Sequence, residues 1–413
     1  MLKVEGQWGR VVRLFIAGML LLNLLFFLHF REGIKLGHPD FTVFYTAGTI
    51  LRQGLGHQLY SKKLQYEVQQ PYAGHIAFRR GPLPYIHPPF EATIFVPLSR
   101  LPYQWAFAVW DLASVAALFG VAELLRRSAP SLRLIAPWKL AVGSIAFFPV
   151  FACLLEGQDS ILLLLLCTLA FYALKRELDL LGGCWLALAA FKFQFIIPIV
   201  LLFIIWKRRR IALGFVAVGS VLVLASVGLV GLEGLLQYPK YVLQVVNTPS
   251  LGGVPPQLLP NLHGLSMALP EIFSGVGRIV VAALSSVVLF LFAAWKGRSS
   301  GRPRELELQF SLAIVVSGLI AWQTNSHDLS LLVLPLGFTT VCYLEGTARA
   351  RRFASLLPLL PLLISPLWMT LWLVIGKVNL MAIPLLWWTF EISKELSFDP
   401  PNGLAVCHKQ CAS

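Results

Sequence analysis

Long apolar runs, separated by short basic clusters, repeat along nearly the whole chain. They lie at about 11–30, 104–125, 136–155, 160–174, 211–231, 276–295, 308–322, 329–344, 355–375 and 378–392. Only helices and closed barrels satisfy their backbone polar groups in lipid. These runs are too long and too continuous for barrel strands, which alternate with a period of two. The pattern therefore predicts an all-α polytopic membrane protein.

The basic clusters are Lys3/Arg10/Arg13, Arg126/Arg127/Arg133, Lys175/Arg176, Lys207–Arg210, Lys296/Arg298/Arg302/Arg304 and Arg349/Arg351/Arg352. Short Lys/Arg-rich connections lie in the cytoplasm, so successive clusters are joined by an even number of crossings. One interval resists: the 30 residues between Arg176 and Lys207 read as a single apolar stretch. Two short helices, about 182–191 and 195–206, interrupted at Phe191-Lys192-Phe193-Gln194, keep both clusters inside. The plainer alternative is one tilted helix with Lys192 snorkelling. The first arrangement gives about 12 transmembrane or half-spanning helices. It makes residues 1–413 one integral domain of a cell membrane, with both termini cytoplasmic.

This topology sends the polar segments to the non-cytoplasmic face. They are the first loop region (31–103), a second loop (232–275), Glu156-Gly157-Gln158-Asp159, the Lys192/Gln194 break and Ser326-His327-Asp328. Residues 296–307 become a cytoplasmic linker. In the first loop, Phe44, Ala47, Ile50 and Leu51 share a helical face, and Gly54-Leu55-Gly56 ends that helix. Ser61 and the residues to Gln70 read as a second short helix ended by Pro71. Both helices are expected along the membrane surface. Pro82, Pro84, Pro88 and Pro89 then hold the chain extended up to the apolar stretch 90–98.

Composition agrees with a membrane protein: 57% of the 413 residues are hydrophobic and 13% charged. The net charge of +14 falls in the orienting clusters, so no nucleic-acid partner is expected. The first run has a basic lead but no small-x-small cleavage site, and reads as a retained anchor. The six cysteines, Cys153, Cys167, Cys184, Cys342, Cys407 and Cys411, form no C-x-x-C pair. Neither a disulfide framework nor a metal centre is expected from them, and no cofactor.

Asp40 opens the first loop just beyond the first membrane run, where a lipid-borne substrate can meet a catalytic base. The same residue type suits a helix N-cap. Lys192 is a charge inside an apolar run, which is costly and by default functional. His327-Asp328 and the Glu156–Asp159 turn combine polar groups with loop positions, and each also reads as a plain turn or helix start. Trp387-Trp388 reads as an interfacial belt.

Several motifs in fixed order carry a resemblance. They are Asp40-Phe41 with Tyr45 and Ala47-Gly48, Leu59-Tyr60, His87-Pro88-Pro89-Phe90, Pro97-Leu98, Leu101-Pro102-Tyr103, Gly157-Gln158-Asp159-Ser160, Lys192-Phe193-Gln194 and His327-Asp328-Leu329. Over about 38–340 the chain resembles glycosyltransferase family 87, the polyprenyl-phosphate-mannose-dependent α-mannosyltransferases of the GT-C superfamily. It departs from the family's usual Tyr-Pro-Pro at His87-Pro88-Pro89, and from a usual Lys-Pro at Lys192-Phe193. The resemblance implies a GT-C-like bundle with Asp40 as the catalytic carboxylate. It implies a polyprenyl-phosphate sugar as donor and a glycolipid or glycan hydroxyl as acceptor.

A single base suffices for an inverting displacement. Phosphate leaves without a general acid, so cationic stabilisation is needed there. Lys192 and His327 are candidates for that role, and Tyr45 and Gln158 for holding sugar hydroxyls. Secondary candidates are Asp328, Asp159, His87, Gln194, Asn261 and His263. The reading of a different class is a lipid or anion transporter or flippase, for which an intramembrane Lys192 beside a broken helix is suited. A scaffold subunit without catalysis is a third reading.

Overall fold

In a computed structural model of the protein, the described residues are 7–37, 39–73, 83–246, 248, 254–270, 272–273, 275–298, 305–345, 359–367 and 379–396. They are helical, with no strand among them. The expected segment 355–375 falls largely outside them, as do the clusters at Arg302/Arg304 and Arg349–Arg352, and Cys407 and Cys411.

The apolar runs become helices because a helix alone pairs its backbone within one segment in lipid. The first is α1 (Gln7–Lys35), and Asp40 precedes α2 (Phe41–Arg52). Next come α3 (Lys62–Ala73), α4 (Pro89–Phe95) and α5 (Tyr103–Ser128). The expected run 136–155 is two helices, α6 (Pro137–Ala146) and α7 (Phe148–Glu156), bent by 81°. Phe147 at the joint is extended and Pro149 follows it, and proline supplies no N–H to bond back across the bend. α3 continues through Pro71 to Ala73, which corrects the expected stop at that proline.

Among the described residues, five helical stretches are long and apolar enough to cross a membrane by length and composition, six if α6 and α7 form one span. Others of the dozen or so transmembrane or half-spanning segments expected are short helices. α8 (Ser160–Lys175) has 16 residues, as does α14 (Glu305–Ile320). α11 (Arg210–Val246) passes through a kink at Gly231, so the second loop begins as helix. It ends with α12 (Leu262–Ser266) before α13 (Gly275–Lys296). A 3₁₀ turn (His327–Leu332) leads into α15 (Val333–Glu345), and a helix covers Ala382–Leu396.

The interval that resisted sequence reading folds back on itself. α9 (Asp179–Leu188) passes through a 3₁₀ turn, Ala189–Lys192, into α10 (Phe193–Ile205). By length and composition the 27 residues Asp179–Ile205 qualify as one span. A straight helix of that length would hold its ends about 40 Å apart. Yet Arg208 Nη1 lies 2.7 Å from Asp179 Oδ1 and also donates to the Leu174 carbonyl. At the opposite end, Lys192 Nζ is 2.7 Å from Ser160 Oγ, at the start of α8. α9 therefore runs back along α8 to the Lys192 turn, and α10 returns.

This hairpin separates two polar ends. At one, Lys175 pairs with Glu307, Arg208 with Asp179, and Trp206 Nε1 donates to the Ala294 carbonyl. At the other lie Lys192, Ser160 and Asp328. Between them a large apolar core joins α5, α8, α10, α14 and α15. A second core packs α2 and α4 onto α5 through Phe41, Phe44, Phe95, Phe107 and Trp110, and reaches Val230 of α11.

α9 crosses α11 at Gly183 and Gly214. A Cβ on Gly183 would stand 2.0 Å from the Ile211 carbonyl oxygen, and one on Gly214 2.0 Å from that of Leu180. Gly183→Val is therefore expected to cost about 1–3 kcal/mol through overpacking. Gly219→Ala, whose Cβ meets nothing within 4 Å, serves as control. Thermal unfolding in detergent checks this: equal midpoints for the two variants would disprove the close crossing.

Candidate active site

The site is built on a left-handed turn. α7 ends at Gly157, with φ +60, and a Cβ there would be 2.7 Å from the Phe41 Cβ. Glycine accepts this backbone at no steric cost. The turn sends Gln158 and Asp159 to different partners. Gln158 Nε2 donates to Asp40 Oδ2 at 2.8 Å, while Asp159 Oδ1 is 2.7 Å from Lys192 Nζ.

Asp40 occupies the N-cap position of α2, but its side chain makes no cap hydrogen bond. Its carboxylate is thus free of the structural duty that sequence alone allows it. It faces Glu156 and His327; one ligand-type atom from each of the three lies within 4.8 Å of the others. His327 Nδ1 is 2.8 Å from Glu156 Oε2, and its Nε2 is 3.6 Å from Asp328 Oδ1. The imidazole is thereby wedged between two carboxylates.

Lys192 is buried among three partners: Asp159, Asp328 at 2.5 Å, and Ser160 at 2.7 Å. These three match the three donors of an ammonium, so no snorkelling occurs. Asp328 also accepts from Ser160 Oγ at 2.9 Å and from the Asn325 N–H at 2.8 Å. On the far side of Asp159, His87 Nδ1 lies 3.3 Å from Asp159 Oδ2 and 2.8 Å from Glu91 Oε2. The groups form one line of alternating carboxylate and cationic or imidazole side chains: Glu156, His327, Asp328, Lys192, Asp159, His87, Glu91.

Burial pushes the Glu91 carboxyl up to about 8. Burial alone would lower His87, but Glu91 and Asp159 beside it outweigh that and leave it raised. Burial would likewise raise Asp159, but Lys192 and His87 hold it below the usual carboxylate range.

Other sequence candidates take different places. Tyr45 packs against Tyr72 and Tyr103, and its hydroxyl donates to the Leu101 carbonyl at 2.7 Å. Asn261 caps α12 through Gly264 N–H and donates to the Ala321 carbonyl. His263 stacks on Trp322 at 3.9 Å. Both tie α12 to the residues that follow α14. Gln194 is half-buried in the first turn of α10. Sequence reading passed over Glu91 and left Glu156 and Ser160 without roles. The i,i+4 spacing of His87 and Glu91 was the available signal for the first.

Two trios have spacing suited to a cation: Asp40, Glu156 and His327, and His87, Glu91 and Asp159. A cavity of about 290 Å³, lined mainly by Leu20, Leu24, Phe27, Ile34, Val115, Leu154 and Leu155, runs between α1, α5 and α7.

Removing the ammonium would strand two buried carboxylates. Lys192→Met is expected to destabilise the protein by about 3–5 kcal/mol, the scale for breaking a buried pair from one side. A melting temperature equal to wild type in the same detergent would show that Lys192 does not hold this line together.

The glycosyltransferase family 87 model matches residues 85–324, more than half of the chain. Two curated relatives carry the name polyprenol-phosphate-mannose-dependent alpha-(1-2)-phosphatidylinositol pentamannoside mannosyltransferase. The one from Mycolicibacterium smegmatis is 25% identical over 228 residues, 54% of this chain and 53% of that protein. The one from Mycobacterium tuberculosis is 24% identical over 282 residues, 67% of this chain and 62% of that protein. The chain thus spans between half and two thirds of the length of these relatives. No solved structure matches it significantly. The protein belongs to glycosyltransferase family 87.

Proposed function

We propose that this chain transfers a hexose, mannose by the names of its relatives, from a polyprenyl-phosphate donor to a hydroxyl of a lipid or glycan acceptor. Transfer is inverting, with Asp40 as base, on the non-cytoplasmic face of the cell membrane. The observation that carries this reading is the state of Asp40. Its carboxylate does not cap α2, is held by Gln158, and faces Glu156 and His327.

The chemistry follows from that arrangement. The acceptor hydroxyl gives its proton to Asp40 as its oxygen attacks the anomeric carbon from the face opposite the phosphate. The bond from that carbon to the phosphate oxygen breaks, and its electron pair leaves with the polyprenyl phosphate. His327, between Glu156 and Asp328, is the cationic group placed to meet the departing phosphate. Lys192 acts one step behind, fixing Asp159 and Asp328 and through them the turn and the imidazole. Gln158 Oε1, buried without a partner, is available to a sugar hydroxyl. The cavity between α1, α5 and α7, lined mainly by apolar side chains, suits an isoprenoid chain. The transporter reading is not favoured: Lys192 is enclosed by partners rather than lining a path, and the family is one of transferases.

The face rests on the basic clusters. Those at Lys175 and Arg208 lie at the end of the α8–α10 hairpin opposite Lys192, so positive-inside orientation places Asp40 outside.

Asp40→Asn keeps the shape of the side chain. In membranes supplied with polyprenyl-phosphate mannose and a panel of acceptors, turnover is expected to fall roughly 10²-fold or more, with an unchanged melting temperature. Full turnover in this variant would remove Asp40 as the base. In intact cells, an impermeant thiol reagent is expected to modify a cysteine at Lys63, whose side chain is 88% exposed. A cysteine at Arg209 should react only after permeabilisation; the reverse pattern would invert the topology.

A further inference from the structure

We infer that His87, Glu91 and Asp159 form a binding site for a divalent transition-metal ion, beside the proposed catalytic carboxylate and distinct from it. His87 comes from the extended segment before α4, Glu91 from the first turn of α4, and Asp159 from the Gly157 turn. One nitrogen or oxygen from each lies within 4.8 Å of the others, so one ion can reach all three.

The second observation is the state of their polar atoms. Glu91 and Asp159 are fully buried. Both Glu91 oxygens, Asp159 Oδ2 and His87 Nδ1 are buried without a well-formed hydrogen bond. They approach one another at ion-pair distances of 2.8 and 3.3 Å. Asp159 Oδ1 is taken by Lys192 Nζ at 2.7 Å. Buried polar groups are almost always satisfied, and a group of orphans in one place points to water or an ion. A bound cation would satisfy all four atoms by direct coordination.

The donor set selects the kind of ion. One imidazole nitrogen with two carboxylates suits Zn²⁺, Mn²⁺ or Co²⁺ better than Mg²⁺ or Ca²⁺, which prefer oxygen alone. Two Glu91 oxygens together with Asp159 Oδ2 and His87 Nδ1 supply up to four ligand atoms, a closed structural shell. Lys192 on Asp159 Oδ1 orients that carboxylate as an outer partner does. The ion competes with protons for these ligand atoms, so loading is expected to strengthen as pH rises. The absence of a C-x-x-C motif is no guide here, because the ligands are assembled from two distant segments. The other trio is the weaker candidate: Asp40 already bonds Gln158, and His327 bonds Glu156. A filled His87 site pins the segment before α4 to the Gly157 turn, and so steadies Gln158 against Asp40.

The test measures metal, not transfer, so it stands apart from the catalytic proposal. Full-length protein in detergent is stripped with EDTA, exposed to micromolar Zn²⁺, Mn²⁺ or Co²⁺, and assayed for metal per chain. About one equivalent is expected, with a rise in melting temperature on loading. The Co²⁺ form should show d–d absorption without a thiolate band. Glu91→Gln and His87→Gln should each weaken binding at least about tenfold, while Asp40→Asn retains it. No metal above background in the wild-type protein overturns the inference and leaves a cluster held by protons alone. Binding that survives both ligand changes but is lost in Asp40→Asn also overturns it, and assigns the ion to the other trio.

Discussion

The buried Lys192 ammonium, shared between Asp159 and Asp328, is the interaction on which the rest of the site depends. A charge in an apolar run is tolerated only with partners of opposite sign. Those partners lie on elements far apart in sequence: the turn before α8 and the 3₁₀ segment before α15. Satisfying one ammonium thus draws three parts of the chain together. It also sets where the α9–α10 hairpin reverses, at the 3₁₀ turn that ends on Lys192 itself.

The site sits where two apolar units meet. The aromatic core of α2 and α4 presents Asp40, His87 and Glu91. The larger core of α8, α10 and α14 presents Lys192 and the residues around Asp159 and Asp328. The Gly157 turn bridges them, with Gln158 on Asp40 and Asp159 on Lys192. Catalytic geometry therefore depends on how the first-loop helices seat against the bundle. Tyr60, Tyr238 and Tyr241 stack across that seam, joining the loop to the part of α11 beyond its kink.

Much of the arrangement was legible in the chain. The runs at 11–30, 104–125 and 276–295 became α1, α5 and α13 because sustained apolarity leaves the backbone no alternative to a helix in lipid. The basic clusters gave the parity that a folded-back α9–α10 satisfies, even though its 27 residues would make a span by length alone. Asp40, Gln158, Lys192 and His327 stood out because a polar group in or beside an apolar run is conspicuous. Asn261 and His263 were conspicuous for the same reason; Asn261 caps α12 and His263 stacks on Trp322. Local pattern registers that a polar residue is unusual, not what it touches.

The class of molecule and the short list of polar residues could be read from the chain, because both follow from composition and from local periodicity. The pairings came from helix packing. Asp40 held by Gln158, His327 wedged between Glu156 and Asp328, and Glu91 with Asp159 around His87 are contacts that bring together segments up to 171 residues apart in sequence. Their energies depend on distance, burial and the sign of neighbouring charge, and none of these is defined until the helices are packed.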